Sequence, residues 1–357
     1  MAYKPSPFDL TPQILHDHMM VTGKRAMGFR PSVDGKSRAA LSAWQRRLRA
    51  KLKTLMGWGE LPHGDDRCGL NVRSLWKRKG KFGTIEKIAF TAEPKADVVA
   101  YVCLPAGAEP PYEWFVCVQG HSTGMHNSIA VDFKTNRKPI RPPGDRDFGI
   151  QCIKRGIAAL CIEQRGFGER KLVYPEGHES WGDKEAAFHA LQLGRTLIGE
   201  RVFDVDRGLD YLATRDDVRL RKIGVMGNSG GGTITTFSAA ILRRLKMAMP
   251  SCYFCTFADS IMAMPHCPCN FIPGLMQHAE MAEVLGLFAP RPVVIVAGRT
   301  DPIFPLAATR REFARLKTIY AAAGAPNACK LVVGNGGHRF YAKGGWGAMM
   351  KLGGLGR

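Results

Sequence analysis

Short, almost wholly apolar runs separated by helical stretches leave this chain few architectures. WFVCVQG (114–120), KIGVMG (222–227), RPVVIVAG (291–298) and CKLVVG (329–334) are of this kind. A strand with one face in water alternates polar and apolar residues. These runs do not, so both of their faces should be covered. Helical patterns lie between them at 186–215 and 231–245. The combination predicts an α/β fold, a mostly parallel central sheet with helices on both faces. TIEKIAFTAE (84–93) and ADVVAYVCLP (96–105) read as paired strands ahead of that sheet. GIAALCIEQRGFGER (156–170) begins with another strand, and KMAMPSCYF (246–254) contains one.

Residues 1–65 read as an N-terminal helical extension that ends in Gly57-Trp58-Gly59, followed by one catalytic domain at 66–357. Leu41, Trp44, Leu48, Leu52 and Leu55 recur at three- and four-residue spacing and form an apolar stripe. The bases of RRLRAKLK (46–53) then fall on a solvated face. The glycine-rich end, GGWGAMMKLGGLGR (344–357), is expected to fray.

Fifty-one Lys and Arg against 31 Asp and Glu give a net charge of +20. Such a charge attracts nucleic acid or anionic surfaces when it is clustered. Here it is spread along the chain and no nucleic-acid-binding module is recognisable, so no nucleic-acid partner is expected. No apolar stretch is long enough to span a bilayer, and no membrane partner is expected. The first residues lack the basic head, apolar middle and cleavage site of a signal peptide. Several of the ten cysteines sit inside strand runs (Cys103, Cys117, Cys161, Cys252), where a reduced thiol behaves as a small hydrophobe. Both features point to the cytoplasm. His266-Cys267-Pro268-Cys269 offers metal-ligating side chains, but C-x-C beside one histidine lacks the second ligand pair that zinc spacing requires. No metal and no cofactor are expected.

Ser229, in KIGVMGNSGGGT (222–233), is flanked by Gly227 and Gly231. With 40 glycines and 12 serines in the chain, G-x-S-x-G is weak by itself, and its surroundings decide. It stands between an apolar strand and a helix, where a sharp turn tolerates only small neighbours and the helix N-terminus faces the reacting oxygen. Ser229 is therefore the candidate nucleophile. The candidate base is His338, which follows the last strand on a glycine turn in LVVGNGGHRF. The candidate acid is Asp301, just past a strand in VVIVAGRTDPIFP, with Asp259 as its competitor one strand earlier. An oxyanion hole needs two amide donors. The amide of Gly230, directly after the nucleophile, is one; the amide of His121, in VCVQGHSTG, is the expected second.

GNSGGG, the stretch from SCYFCTFADSI to HCPCNFIPGL, APRPVVIVAGRTDPIFP and GHRF together resemble α/β-hydrolases of the acetyl xylan esterase-like and dienelactone hydrolase-like branch. GRTLIGERVFDVDRGLDYL (194–212) resembles the helix that precedes the nucleophile strand there. The resemblance spans roughly residues 70–345. It implies the α/β-hydrolase fold and carries nucleophile, acid and base onto Ser229, Asp301 and His338. The chain departs from it at Gln119-Gly120, where related deacetylases begin the loop with His-Gly.

The function expected is serine carboxylic-ester hydrolysis through an acyl-enzyme, on a small-molecule ester or acetylated sugar, with the HCPCNFIPGL loop and N-terminal helices capping the pocket. Related deacetylases often assemble, so a homo-oligomer is a possible state. Lactone hydrolysis and a serine peptidase of the prolyl oligopeptidase type are the alternatives within the same chemistry. A basic, non-catalytic binding protein is the alternative outside it.

Overall fold

The computed structural model describes residues 9–121, 123–174 and 182–356. Two helices come first, α1 (Pro12–Thr22) and α2 (Arg38–Leu55), then a meander of β1 (Arg73–Gly80), β2 (Gly83–Glu93) and β3 (Ala96–Pro105). The central part runs β4 (Tyr112–Val118), α3 (Phe148–Ile153), β5 (Ala158–Ile162), α4 (Asp183–Gln192), α5 (Leu197–Ala213), β6 (Val218–Asn228) and α6 (Gly230–Ile241). It continues with β7 (Met247–Ser251), α7 (Met281–Gly286), β8 (Val293–Gly298), α8 (Leu306–Ala322), β9 (Cys329–Gly334) and α9 (Ala342–Gly353). Among the described residues the strands form one sheet in the order β1-β2-β3-β5-β4-β6-β7-β8-β9. The first three strands and the β3–β5 pair are antiparallel, and every pair from β5 to β9 is parallel.

Successive side chains of a strand point to opposite faces, and the core divides accordingly. Val116, Val118, Val225 and Ile295 pack into one cluster, while Phe115, Cys117, Met226, Val294 and Val296 pack into the other. The first cluster holds Leu41, Trp44, Leu48 and Leu52 of α2, so the predicted stripe is buried in this core, with α2 packed against α6. Ser37 caps that helix by accepting from the Ala40 amide. Arg49 leaves the solvated face expected of its neighbours. It is partly buried and donates to the carbonyls of Ala240 and Leu287, both at 2.8 Å.

Three further features differ from the sequence expectation. The helical stretch at 186–215 is broken, because Gly194 takes φ 77° and Thr196 starts a new helix by accepting from the Gly199 amide. The C-terminal residues expected to fray form α9, with Trp346 and Met349 buried against the second core cluster. β1 is an additional edge strand whose burial pattern is almost entirely exposed, which hides it from a search for apolar runs. No helix among the described residues is long and apolar enough to cross a membrane.

The chain order reverses at β4, which has β5 on one side and β6 on the other. In parallel sheets the crevice beyond the carboxyl ends of such strands is where ligands bind. Here it is bounded by Gln119-Gly120-His121 after β4 and Ser229 after β6.

Candidate active site

Ser229 occupies the turn between β6 and α6 at φ 59° and ψ −124°, a conformation that costs an L-residue energy and is held by its surroundings. Its amide donates to the carbonyl of Ser251 at 2.9 Å, which ties the turn to β7. The glycines on either side are required by close packing rather than by their own dihedrals. A Cβ on Gly227 would stand 2.5 Å from the Val118 carbonyl oxygen and one on Gly231 2.2 Å from the same oxygen, while across the turn one on Gly120 would stand 2.9 Å from the Ser229 Cβ. The ends of β4 and β6 thus press together with the serine between them. Gly230 is the first residue of α6, so its N–H belongs to the first turn, which has no intrahelical acceptor.

His338 Nδ1 lies 2.9 Å from Asp301 Oδ2. The other carboxylate oxygen, Oδ1, accepts from the amides of Ile303 at 2.9 Å and Phe304 at 3.1 Å. Burial by itself raises the Asp301 carboxyl, but the hydrogen bond and charge of His338, with those two amides, outweigh it and hold the group below its ordinary value. The Phe304 ring stacks on the imidazole, centroids 5.9 Å apart and planes inclined by 19°. His338 Nε2 is buried and has no hydrogen-bond partner among the described residues. The competing acid, Asp259, is elsewhere. It pairs with Arg311 at 2.5 Å and with the Thr256 hydroxyl, and its side chain is 43% exposed. Asp301 is therefore the carboxylate joined to His338.

Sequence reasoning missed two supports of this pair. One is Phe304; the other is Cys252, whose thiol is pushed up to about 12 by burial and then by the nearby Asp301 charge. The Cys252 thiol donates to the Arg339 carbonyl at 3.2 Å, on the residue next to His338.

On the opposite side, Gln119 shapes the loop that carries His121. Its buried amide group donates to the Ser128 hydroxyl and the Arg146 carbonyl, both at 2.8 Å, and its carbonyl accepts from Gln164. The departure at Gln119 therefore keeps a hydrogen-bonded anchor for the loop. The His121 ring lies over Gly230: a Cβ there would stand 3.0 Å from Nδ1. The edge of Phe167 packs on it at 5.2 Å between centroids. His121 Nε2 is 3.0 Å from Cys269 Sγ and 3.1 Å from Asp183 Oδ2. Burial would lower the His121 imidazole, but Asp183 and Cys267 raise it. The Cys267 thiol is drawn down to about 6, chiefly by hydrogen bonding from Cys269, against the effect of burial. No local sequence pattern marks Asp183 or Phe167, since one is brought in by the start of α4 and the other by the loop after β5.

A cleft of about 480 Å³ opens on this side, lined in part by His121, His126, Phe167, Lys171, Asp183 and Cys267. A more apolar cavity of about 570 Å³ lies between α1 and residues 257–277, away from His338. The segment after α1 is laced to that loop by bonds from the Ala26 and Met27 amides to the carbonyls of Gln277 and His278, both at 2.8 Å. In this arrangement α1 faces residues 270–275 of the HCPCNFIPGL loop across that cavity.

A model of the Abhydrolase family matches residues 10–333. The chain belongs to the Abhydrolase family. YtaP of Bacillus subtilis, provisionally named a hydrolase, is 24% identical over 283 residues, which is 78% of this chain and 90% of that protein. A Bacteroides fragilis protein provisionally named an acetyl xylan esterase superposes with a TM-score of 0.76 at 16% identity, over 94% of this chain and 83% of its own. The glucuronoyl esterase of Solibacter usitatus gives a TM-score of 0.65 at 14% identity, over 93% of this chain and 97% of its own. At such identities the structural likeness establishes the fold. As in other members of an α/β-hydrolase family, the site sits at the carboxyl ends of the parallel strands.

Proposed function

We propose that this Abhydrolase-family chain is a serine carboxylic-ester hydrolase for short-acyl esters, acting on acetylated carbohydrate or similar small esters. The observation that carries the reading is the His338–Asp301 pair at 2.9 Å, with a buried imidazole Nε2 left unbonded, in a fold that presents Ser229 on a strained turn. His338 Nε2 takes the Ser229 hydroxyl proton as Oγ attacks the ester carbonyl carbon. The amides of Gly230 and His121 hold the oxyanion, each worth about 3–4 kcal/mol in a site of this type. The alcohol departs with the proton from His338, and water then cleaves the acyl-enzyme by the same route in reverse. Asp301 fixes the imidazole tautomer and balances its charge.

The short-acyl preference rests on the rings beside the turn. His121 and Phe167 both approach within 3.0–3.6 Å of where a Cβ on Gly230 would stand, so they wall the turn that follows Ser229. The ten cysteines are free thiols, in keeping with work in the cytoplasm. Hydrolysis of p-nitrophenyl esters from acetate to octanoate tests the proposal. Turnover greatest on acetate and falling with chain length supports it. Turnover that rises with chain length overturns the short-acyl assignment, and a folded protein inert on the whole series overturns the esterase reading.

A further inference from the structure

The motif His266-Cys267-Pro268-Cys269 lacked a second ligand pair in sequence, and the fold supplies one. His121, in the loop after β4, and Asp183, the first residue of α4, meet Cys267 and Cys269 beside the cleft. The four potential donor atoms all lie within 4.8 Å of one another. His121 Nε2 is 3.0 Å from Cys269 Sγ and 3.1 Å from Asp183 Oδ2, and Cys267 Sγ is 3.2 Å from the same carboxylate oxygen. We propose that His121, Asp183, Cys267 and Cys269 form a structural zinc site that clamps the loop after β4 to α4 and to the HCPCNFIPGL segment.

The donor set and its spacing both fit. Tetrahedral zinc takes sulfur at 2.3 Å and imidazole nitrogen or carboxylate oxygen at about 2.0–2.2 Å, so its ligand atoms stand roughly 3.3–3.8 Å apart. The three observed contacts, at 3.0–3.2 Å, need to open by roughly 0.3–0.6 Å. Two thiolates favour zinc over harder cations such as magnesium and calcium. Four protein ligands close the shell, which marks a structural rather than a catalytic centre. Binding breaks both S–H bonds and releases both protons, while His121 coordinates through Nε2 and keeps its proton on Nδ1. Two thiolates and one carboxylate around a dication leave one net negative charge. The Arg201 guanidinium, buried and 3.5 Å from Asp183 Oδ2, offsets it. Such an outer partner also holds a ligating carboxylate in place.

The placement gives the site a consequence. His121 lies against Gly230 on one side and follows Gly120, which touches the Ser229 Cβ position. A metal that fixes the imidazole fixes the backbone carrying the second proposed oxyanion donor. That consequence rests on the ester-hydrolase reading; the metal site does not. The other cluster of possible ligands, Cys252, Asp301 and His338, belongs to the catalytic pair and serves as the control.

The test uses the full chain, expressed with added zinc and purified without chelator. Metal content is measured by mass spectrometry for the wild type, C267S, C269S and C252A. The proposal requires about one zinc per chain in the wild type and in C252A, with a fall of about tenfold or more in C267S and C269S. Replacement by cobalt provides a readout that needs no variant: thiolate-to-cobalt charge transfer together with intense tetrahedral d–d bands. If the serine variants fail to fold, the wild-type cobalt spectrum decides. No bound zinc and no cobalt band overturns the proposal. So does zinc retained in C267S and C269S but lost in C252A, or a Cys267–Cys269 disulfide in place of the metal.

Discussion

His338 donates from Nδ1 to Asp301 Oδ2 across 2.9 Å, at the neighbouring ends of the parallel strands β8 and β9. The contact leaves Nε2 as the nitrogen able to exchange a proton, and burial keeps it unbonded among the described residues. Asp301→Asn preserves the shape and reverses the tautomer preference, because an amide nitrogen can face Nδ1 only as a donor. The expected result is a fall in kcat on the order of 10⁴-fold with little change in the unfolding midpoint. Steady-state kinetics beside thermal unfolding check it. A loss smaller than about tenfold would deny Asp301 its role.

Gly120 concerns the nucleophile from the other side. A methyl group there would stand 2.6 Å from the Asn228 carbonyl and 2.9 Å from the Ser229 Cβ. Neither distance is tolerable, so Gly120→Ala must shift the β6–α6 turn or the loop carrying His121. Displacement of reacting groups by about 1 Å can cost 10²-fold. The variant should therefore lose about 10²-fold or more in kcat/KM, measured on the ester that the wild type hydrolyses fastest. Wild-type kinetics in Gly120→Ala would place the nucleophile elsewhere.

Much of this arrangement is readable in the sequence. The runs that became β4, β6, β8 and β9 are apolar because both sheet faces are covered, and Ser229, Asp301 and His338 each follow such a run. Parallel neighbours end on the same side, which brings the last two together. What stayed hidden depends on tertiary contact. β1 is an exposed edge, and α9 is rich in glycine yet packs through Trp346 and Met349. Nor does the composition reveal which arginines are paired within the fold. Arg165 is held by Asp204, Glu93 and Glu200, and Arg67 and Arg244 share Asp206 and Asp210. The group around Cys267 is invisible in the sequence because its partners arrive from the loop after β4 and from α4.

Glu280 makes the stability dependent on pH. Burial first, and then the charge of Glu312, push its carboxyl up to about 7, against two backbone amides and Arg25. A raised carboxyl favours the protonated form in the folded state. Its contribution is complete below the ordinary value of 4.5 and is lost as pH rises through about 7. The loss is at most about 3 kcal/mol. Both amides, from Phe257 and Met281, donate to Oε1, so Glu280→Gln keeps them. Urea unfolding at about pH 5 and about pH 8.5 should show wild type weakening more than E280Q. Glu163, also raised to about 7 by burial, weakens both proteins with the same sign. Equal pH dependence in the two proteins would refute the Glu280 contribution.

The central claim is that Ser229 becomes acylated. Mixing the protein with p-nitrophenyl acetate, quenching in acid and mapping peptides by mass spectrometry tests it most directly. The account predicts an acetyl group on the peptide containing Ser229, appearing with a burst of nitrophenol and absent in Ser229→Ala, whose turnover falls on the order of 10⁴-fold or more. Undiminished turnover in Ser229→Ala, or acetyl carried by another residue whose removal stops hydrolysis, would contradict it.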